Sequence, residues 1–175
     1  MWKAFLIFSF LLPLRLAAQQ LLPTDSTTGR ISVSETVAMN GLTQKELHDK
    51  TITWLAKFKP PQSEIQQDKP DMIVFKGFKK VIVKTDEVNT SFPLHFMLTV
   101  RFADGSVSYK ATNFSPDGIN YYSHQSLKHP DEQKYKNKKD KAAYVAVYEA
   151  YGNGMQSIGK ELKAAFKKPL PTTKQ

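Results

Sequence analysis

The chain has 175 residues, with 25 Lys and Arg against 16 Asp and Glu, no cysteine, and 41% hydrophobic residues. That length suits one domain with a substantial core, and the missing cysteine excludes a disulfide framework and any thiolate metal site. A formal charge of +9 favours anionic partners by long-range attraction, although scattered exposed lysines produce the same balance.

Met1-Trp2-Lys3 precede an apolar run from Ala4 to Leu14, and Ala17-Ala18 precede a polar Gln19-Gln20. A cationic start, a short apolar stretch and a small-residue exit are the parts of a secretory signal peptide. The run falls short of the ~20 residues that span a ~30 Å hydrocarbon core. Residues 1–18 are therefore expected to be cleaved, with Arg15 and Leu16 as departures from the usual pattern. The product is expected to be periplasmic or secreted, with no transmembrane segment in the mature chain and no cysteine to accept a lipid. Lys3 and Arg15 leave with the signal, so the formal charge falls from +9 to +7.

Residues 19–29 read as an extended, loosely held leader, 30–168 as a single domain and 169–175 as a flexible tail. Ile31, Val33, Val37 and Met39 alternate with polar residues, the period of a half-buried strand. Glu35 interrupts the apolar side and points to a bulge or a rim position. Thr43-Gln44-Lys45-Glu46 is a capping box, and Leu42 and Leu47 flank it at staple spacing. Leu47, Thr51, Trp54, Leu55 and Phe58 follow on one helical face, and Pro60-Pro61 ends it, predicting a helix over 43–58.

A weak strand is expected near 63–68 and a turn at Lys69-Pro70-Asp71. Met72 to Lys84 reads as a strand that Gly77 should bulge or bend. After a polar turn at 85–89, Phe92, Leu94, Phe96, Leu98, Val100 and Phe102 alternate with Pro93, His95, Met97, Thr99 and Arg101. Asp104-Gly105 is a hairpin turn signal, and Val107 to Phe114 returns as the partner strand. Residues 115–139 form a polar connection containing a run of lysines. A final helix begins near 139–142, with Tyr144, Tyr148, Tyr151, Met155, Ile158, Leu162 and Phe166 at helical spacing. Gly152-Asn153-Gly154 should kink or split it, at about 1 kcal/mol of propensity per glycine. The fold class is α+β: an antiparallel sheet with helices packed on one face, in the order β-α-β-β-β-β-α.

Leu22-Pro23-Thr24-Asp25 and Thr28-Gly29-Arg30-Ile31 lead into the first strand, Leu47 and Trp54-Leu55 lie on the helix, and Phe102-Ala103-Asp104-Gly105 joins the hairpin. With these residues the chain resembles a family of exported bacterial proteins classed as a domain of unknown function with a TBP-like fold. The resemblance covers roughly residues 20–125, and the last helix completes the packing on the sheet. It implies a fold and no activity. A DNA-binding role does not follow from the fold label, no base-reading motif is visible, and no nucleic-acid partner is expected.

No catalytic, metal or cofactor site is assigned. Gly154 to Lys160 has most of a phosphate-binding loop, but Glu161 stands where a magnesium-holding Ser or Thr is required and no strand precedes it. His48, His95, His124 and His129 lack the i, i+4 spacing of a helical metal pair. The remaining candidate is the sheet face opposite the helices. Parity places His95 and Arg101 there, with Lys110 from the partner strand and Lys80 from the central strand. Lys76, Phe78, Met97, Thr99, Ser108 and Thr112 share that side. Such a surface suits an anionic envelope component, such as an acidic glycan or a lipid headgroup, or a partner protein. The alternative is a hydrolase of envelope polymers, which needs carboxylates or a nucleophile gathered in a cleft.

Overall fold

The structure, a computed structural model, describes residues 22–28, 31–58, 63–84, 89–115 and 134–168. The expected signal peptide, Pro60-Pro61, residues 85–88, residues 116–133 and the tail lie outside the described residues. The chain folds as β1 (Val33–Ala38), α1 (Gln44–Leu55), β2 (Glu64–Lys69), β3 (Met72–Lys84), β4 (Asn89–Ala103), β5 (Ser106–Ser115) and α2 (Lys138–Phe166). This is the α+β order expected from the sequence. The five strands make one antiparallel sheet in the order β1-β5-β4-β3-β2.

The β4–β5 hairpin forms because Gly105 adopts φ +71°, a left-handed conformation that costs glycine nothing. Strand alternation then divides the sheet into two faces. Leu94, Phe96, Leu98, Val100 and Phe102 are buried from β4, and Ile73, Phe75, Val81 and Val83 from β3. Both helices cover that face, α2 lying against β3, β1 and β5 and α1 against β4. Leu47, Trp54 and Leu55 of α1 and Tyr148, Tyr151, Met155, Ile158, Leu162 and Phe166 of α2 complete the core.

The capping box forms: Thr43 Oγ1 accepts from the Glu46 amide at 3.2 Å and Glu46 Oε2 accepts from the Thr43 amide at 2.8 Å. Asp104, from the β4–β5 turn, adds a second acceptor, taking the Gln44 amide at 2.8 Å. The turn thereby anchors the start of α1, where amides have no partner within the helix.

Gly77 causes no bulge. The β3–β4 register runs unbroken from Met72↔Arg101 through Gly77↔Phe96 to Lys84↔Asn89. Gly77 is there for room: a Cβ would stand 2.2 Å from the Phe75 ring and 3.1 Å from that of Phe96. The bulge lies instead in β5, where the register shifts between His95↔Ser115 and Met97↔Thr112 and Asn113 takes φ +54°. The shift keeps Phe114 on the core side, 2% exposed.

The last helix is likewise continuous over 29 residues and is not split into two elements. Two of its glycines face the sheet. A Cβ on Gly154 would meet Val81 Cγ1 at 2.4 Å, and one on Gly159 would meet Tyr109 Oη at 2.1 Å. Close helix-to-sheet approach outweighs the helix propensity lost at these positions. The would-be phosphate loop is the middle of this helix, with Gly154 and Gly159 buried.

Residues 22–28 are also held more firmly than their composition predicts. Leu22 is buried and its amide donates to Tyr148 Oη at 3.1 Å, Thr24 bridges to Ile31, and the Ser32 amide donates to Pro23 O at 3.0 Å.

Candidate functional site

The face opposite the helices carries every residue that parity assigned to it. Register places Lys76 beside Met97, Phe78 beside His95, and Lys80 beside Pro93. On the other flank of β4, Thr99 pairs with Lys110 and Arg101 with Ser108. Lys69, Lys76, Lys80, Lys84, Arg101 and Lys110 thus share one surface, to which the strands add one carboxylate, Glu64, opposite Lys76. Apolar side chains lie between the cations on the β3 side: Met72, Val74, Phe78, Met97 and an exposed Ile82.

The four candidate residues do not form one pocket. Lys80 and His95 are close, on adjacent strands two positions out of register, as are Arg101 and Lys110. The two pairs stand apart, because six residues of extended chain from His95 to Arg101 span roughly 20 Å. His95 leans on the Phe78 ring, with centroids 6.0 Å apart.

The Arg101–Lys110 end is concave. A depression of about 370 Å³ is lined there by Ser34, Glu35, Thr36, Thr99, Arg101, Ser108, Tyr109 and Lys110. Lys110 Nζ donates to Asp25 Oδ2 at 2.6 Å, while Asp25 Oδ1 accepts the Thr27 and Thr28 amides at 3.0 and 2.9 Å. The Lys110 ammonium, helped by these amides, holds the Asp25 carboxyl well below the usual carboxylate range. Sequence patterning could not find Asp25, which reaches the sheet from the leader. The edge hydroxyls Ser34 and Thr36 were legible only as the polar side of β1.

The helix-covered face holds two further charge clusters. Glu35 accepts from Tyr109 Oη at 2.8 Å and from Lys163 Nζ at 2.8 Å, joining β1, β5 and α2 at the rim. Burial, and then Glu35, push the Tyr109 phenol up, so it remains a donor at any physiological pH. Glu161 is bonded by Lys57 at 2.5 Å and by Lys79. Each carboxylate is engaged by lysine, and Glu35 also borders the depression that Ser34, Thr36 and Arg101 line. A second depression, about 510 Å³ between α1 and β2, is mostly apolar, with Ile52, Leu55, Phe58, Ile65 and Phe75 in its wall. Among the described residues, no three His, Asp or Glu side chains gather to hold a metal ion.

No curated protein matches the chain. Among solved structures it is similar to a DUF4468 family protein from Bacteroides ovatus, at 15% identity and TM-score 0.62, covering 91% of this chain and 95% of that one. It is also similar to a TBP-like protein from Parabacteroides distasonis, at 11% identity and TM-score 0.56, covering 84% and 97%. At these identities the likeness is one of fold. Residues 34–116, from β1 to the end of β5, match the family model for a domain of unknown function with a TBP-like fold. Over these residues the chain therefore resembles the DUF4468 family, in sequence pattern as in fold.

Proposed function

We propose that the protein is an exported envelope module that binds an anionic component through the open face of its sheet. The observation that carries this reading is the charge on that face: Lys69, Lys76, Lys80, Lys84, Arg101 and Lys110 against Glu64 alone from the strands. Like charges gathered on one surface raise the local concentration of a polyanion. Export rests on the cationic start, apolar run and Ala17-Ala18 exit of the first eighteen residues. No helix among the described residues is long and apolar enough to cross a membrane.

The test reverses one cation at each end of the face, Lys80→Glu and Arg101→Glu. Lys110 is left intact because a glutamate there would meet Asp25. Exposed charges contribute about 0–1 kcal/mol each to stability, so the double variant should fold normally. It should lose most of the wild-type capture by polygalacturonate and by phosphatidylglycerol vesicles. High salt should weaken wild-type capture too, since the Debye length is ~8 Å at physiological strength. Equal capture by both proteins overturns the proposal.

A further inference from the structure

At the β1 side of the open face, three strands present a small polar grid. One row is Ser34–Lys110–Thr99, and the next is Thr36–Ser108–Arg101, each residue paired directly with its neighbour across the strands. All these side chains are polar and two are cationic, and they line the depression of about 370 Å³ together with Tyr109 and Glu35, whose carboxylate is taken up by Tyr109 and Lys163. Paired strands lie about 4.8 Å apart and alternate residues about 6.7 Å, so the grid measures roughly 10 by 7 Å. That is the footprint of one or two sugar rings, and the volume falls within the ~300–1,000 Å³ usual for small-ligand sites.

We infer that this depression is a binding site for a carboxylated sugar, with the Asp25 carboxylate as the chain's own occupant of its Lys110 corner. The inference deepens the proposal that the open face binds anions, and rests on it. Three observations favour this ligand class. A carboxylate, that of Asp25, already engages one of the lining cations, Lys110 Nζ, at 2.6 Å. Ser34, Thr36, Thr99 and Ser108 offer hydroxyls that both donate and accept, as the hydroxyls of a sugar require. The apolar side chains that a lipid would use, on β3 and at Met97, lie outside the grid, Met72 and Val74 bordering it beside Arg101 and Thr99.

A phosphate site would be built differently, from converging backbone amides at a loop or helix start. Here the cations occupy a diagonal, about 7–8 Å apart at their Cα atoms, which suits a carboxylate at one end of a ring. Arg101 has no hydrogen-bond or ion-pair partner among the described residues, so it is the free anchor, and its planar fork matches a carboxylate. Lys110 becomes available when Asp25 swings off. Asp25 stays ionised in any neutral medium, so it competes with the ligand throughout that range.

Competition gives the test its sign. Asp25→Asn keeps the side-chain oxygen that accepts from Thr27 and Thr28 but removes the charge on Lys110. If the clasp is closed about nine-tenths of the time, opening it raises apparent affinity about tenfold. The protein purified from cells expressing the full chain is titrated with D-galacturonate, D-galactose and inorganic phosphate, and backbone amide shifts are recorded by NMR. Galacturonate should move the amides of Ser34, Thr36, Thr99 and Ser108, and galactose should not. Asp25→Asn should tighten galacturonate binding about tenfold, and Arg101→Gln should weaken it about as much.

No response to galacturonate in either wild type or Asp25→Asn overturns the inference, as does an equal response to phosphate. Unchanged affinity in Asp25→Asn removes Asp25 as occupant and the inference with it. These failures are distinct from failure of the broader reading. If polygalacturonate and vesicle capture still depend on Lys80 and Arg101 while the monosaccharide is silent, only the site falls.

Discussion

At the scale of single residues, the glycines of α2 set two opposed effects against each other. Replacing a helical glycine by alanine gains about 1 kcal/mol of propensity where the new methyl is free. At Gly159 it is not: the Cβ would stand 2.1 Å from Tyr109 Oη, 2.7 Å from its Cζ and 2.9 Å from its Cε2. Tyr109 is 4% exposed and tied to Glu35, so its ring cannot retreat without breaking that bond. Overpacking a core costs about 1–3 kcal/mol, enough to cancel or exceed the propensity gain. Gly159→Ala should therefore destabilise the protein, and Gly154→Ala likewise, against Val81. Gly152→Ala meets only Leu22 Cδ2, at 3.0 Å and at the end of a pliable chain, and should be nearly neutral. Urea denaturation of the three variants checks the ranking; equal stabilisation by all three would mean that helix propensity decides. The sequence held a signal for this that propensity masked. Gly154 and Gly159 sit beside Met155 and Ile158, on the apolar stripe, which marks a helix pressed against a sheet and not one about to break.

At the scale of elements, what could be read from sequence was what lies within one strand or one helix turn. The capping box of α1 spans four consecutive residues and was legible in full, as was the alternation that assigns His95 and Arg101 to the open face. Lys80 followed because the β3–β4 register passes Gly77 without a slip. Asp104 reads locally as a hairpin turn residue. Its second role, accepting the Gln44 amide 60 residues away, exists only after the hairpin has met the helix. The Asp25–Lys110 pair, separated by 85 residues, was hidden for the same reason. Lys50 is a third case: apolar neighbours predict a buried face, yet this lysine is 8% exposed because its ammonium donates to Lys168 O at the end of α2. The start of α1 gives a test of these long-range additions. Thr43→Ala should cost about 0.5–2 kcal/mol. Asp104→Ala, although remote in sequence, should cost a similar amount by freeing a different amide of the same first turn. Thermal denaturation of the single and double variants measures both. A silent Asp104→Ala would leave the local box as the whole of the cap.

At the scale of the whole molecule, two lysine-bound carboxylates fasten α2 to the rest. Glu35 joins β1 to Lys163 of α2 and to Tyr109 of β5, and Glu161 joins α2 to Lys57 beyond α1 and to Lys79 of β3. Lys163 and then Tyr109 lower the Glu35 carboxyl below its ordinary 4.5. Burial acts to raise Glu161, but bonds from Lys57 and Lys79 outweigh it and leave that carboxyl lowered too. A carboxyl that is more acidic folded than unfolded adds stability above its unfolded value, and that contribution disappears as pH falls through the folded one. Stability should therefore be nearly flat from neutrality to about pH 5 and decline below about 4.5. Glu161→Gln isolates one fastening. It removes the titrating group and leaves Lys57 and Lys79 without their counter-charge, so the variant should be less stable at pH 7. Its stability should also fall less between pH 5 and pH 3, bringing the two proteins together in acid. Urea midpoints at several pH values decide the matter. Parallel curves for wild type and variant would show that Glu161 contributes nothing ionic to holding α2, and that the helix is kept in place by its apolar face alone.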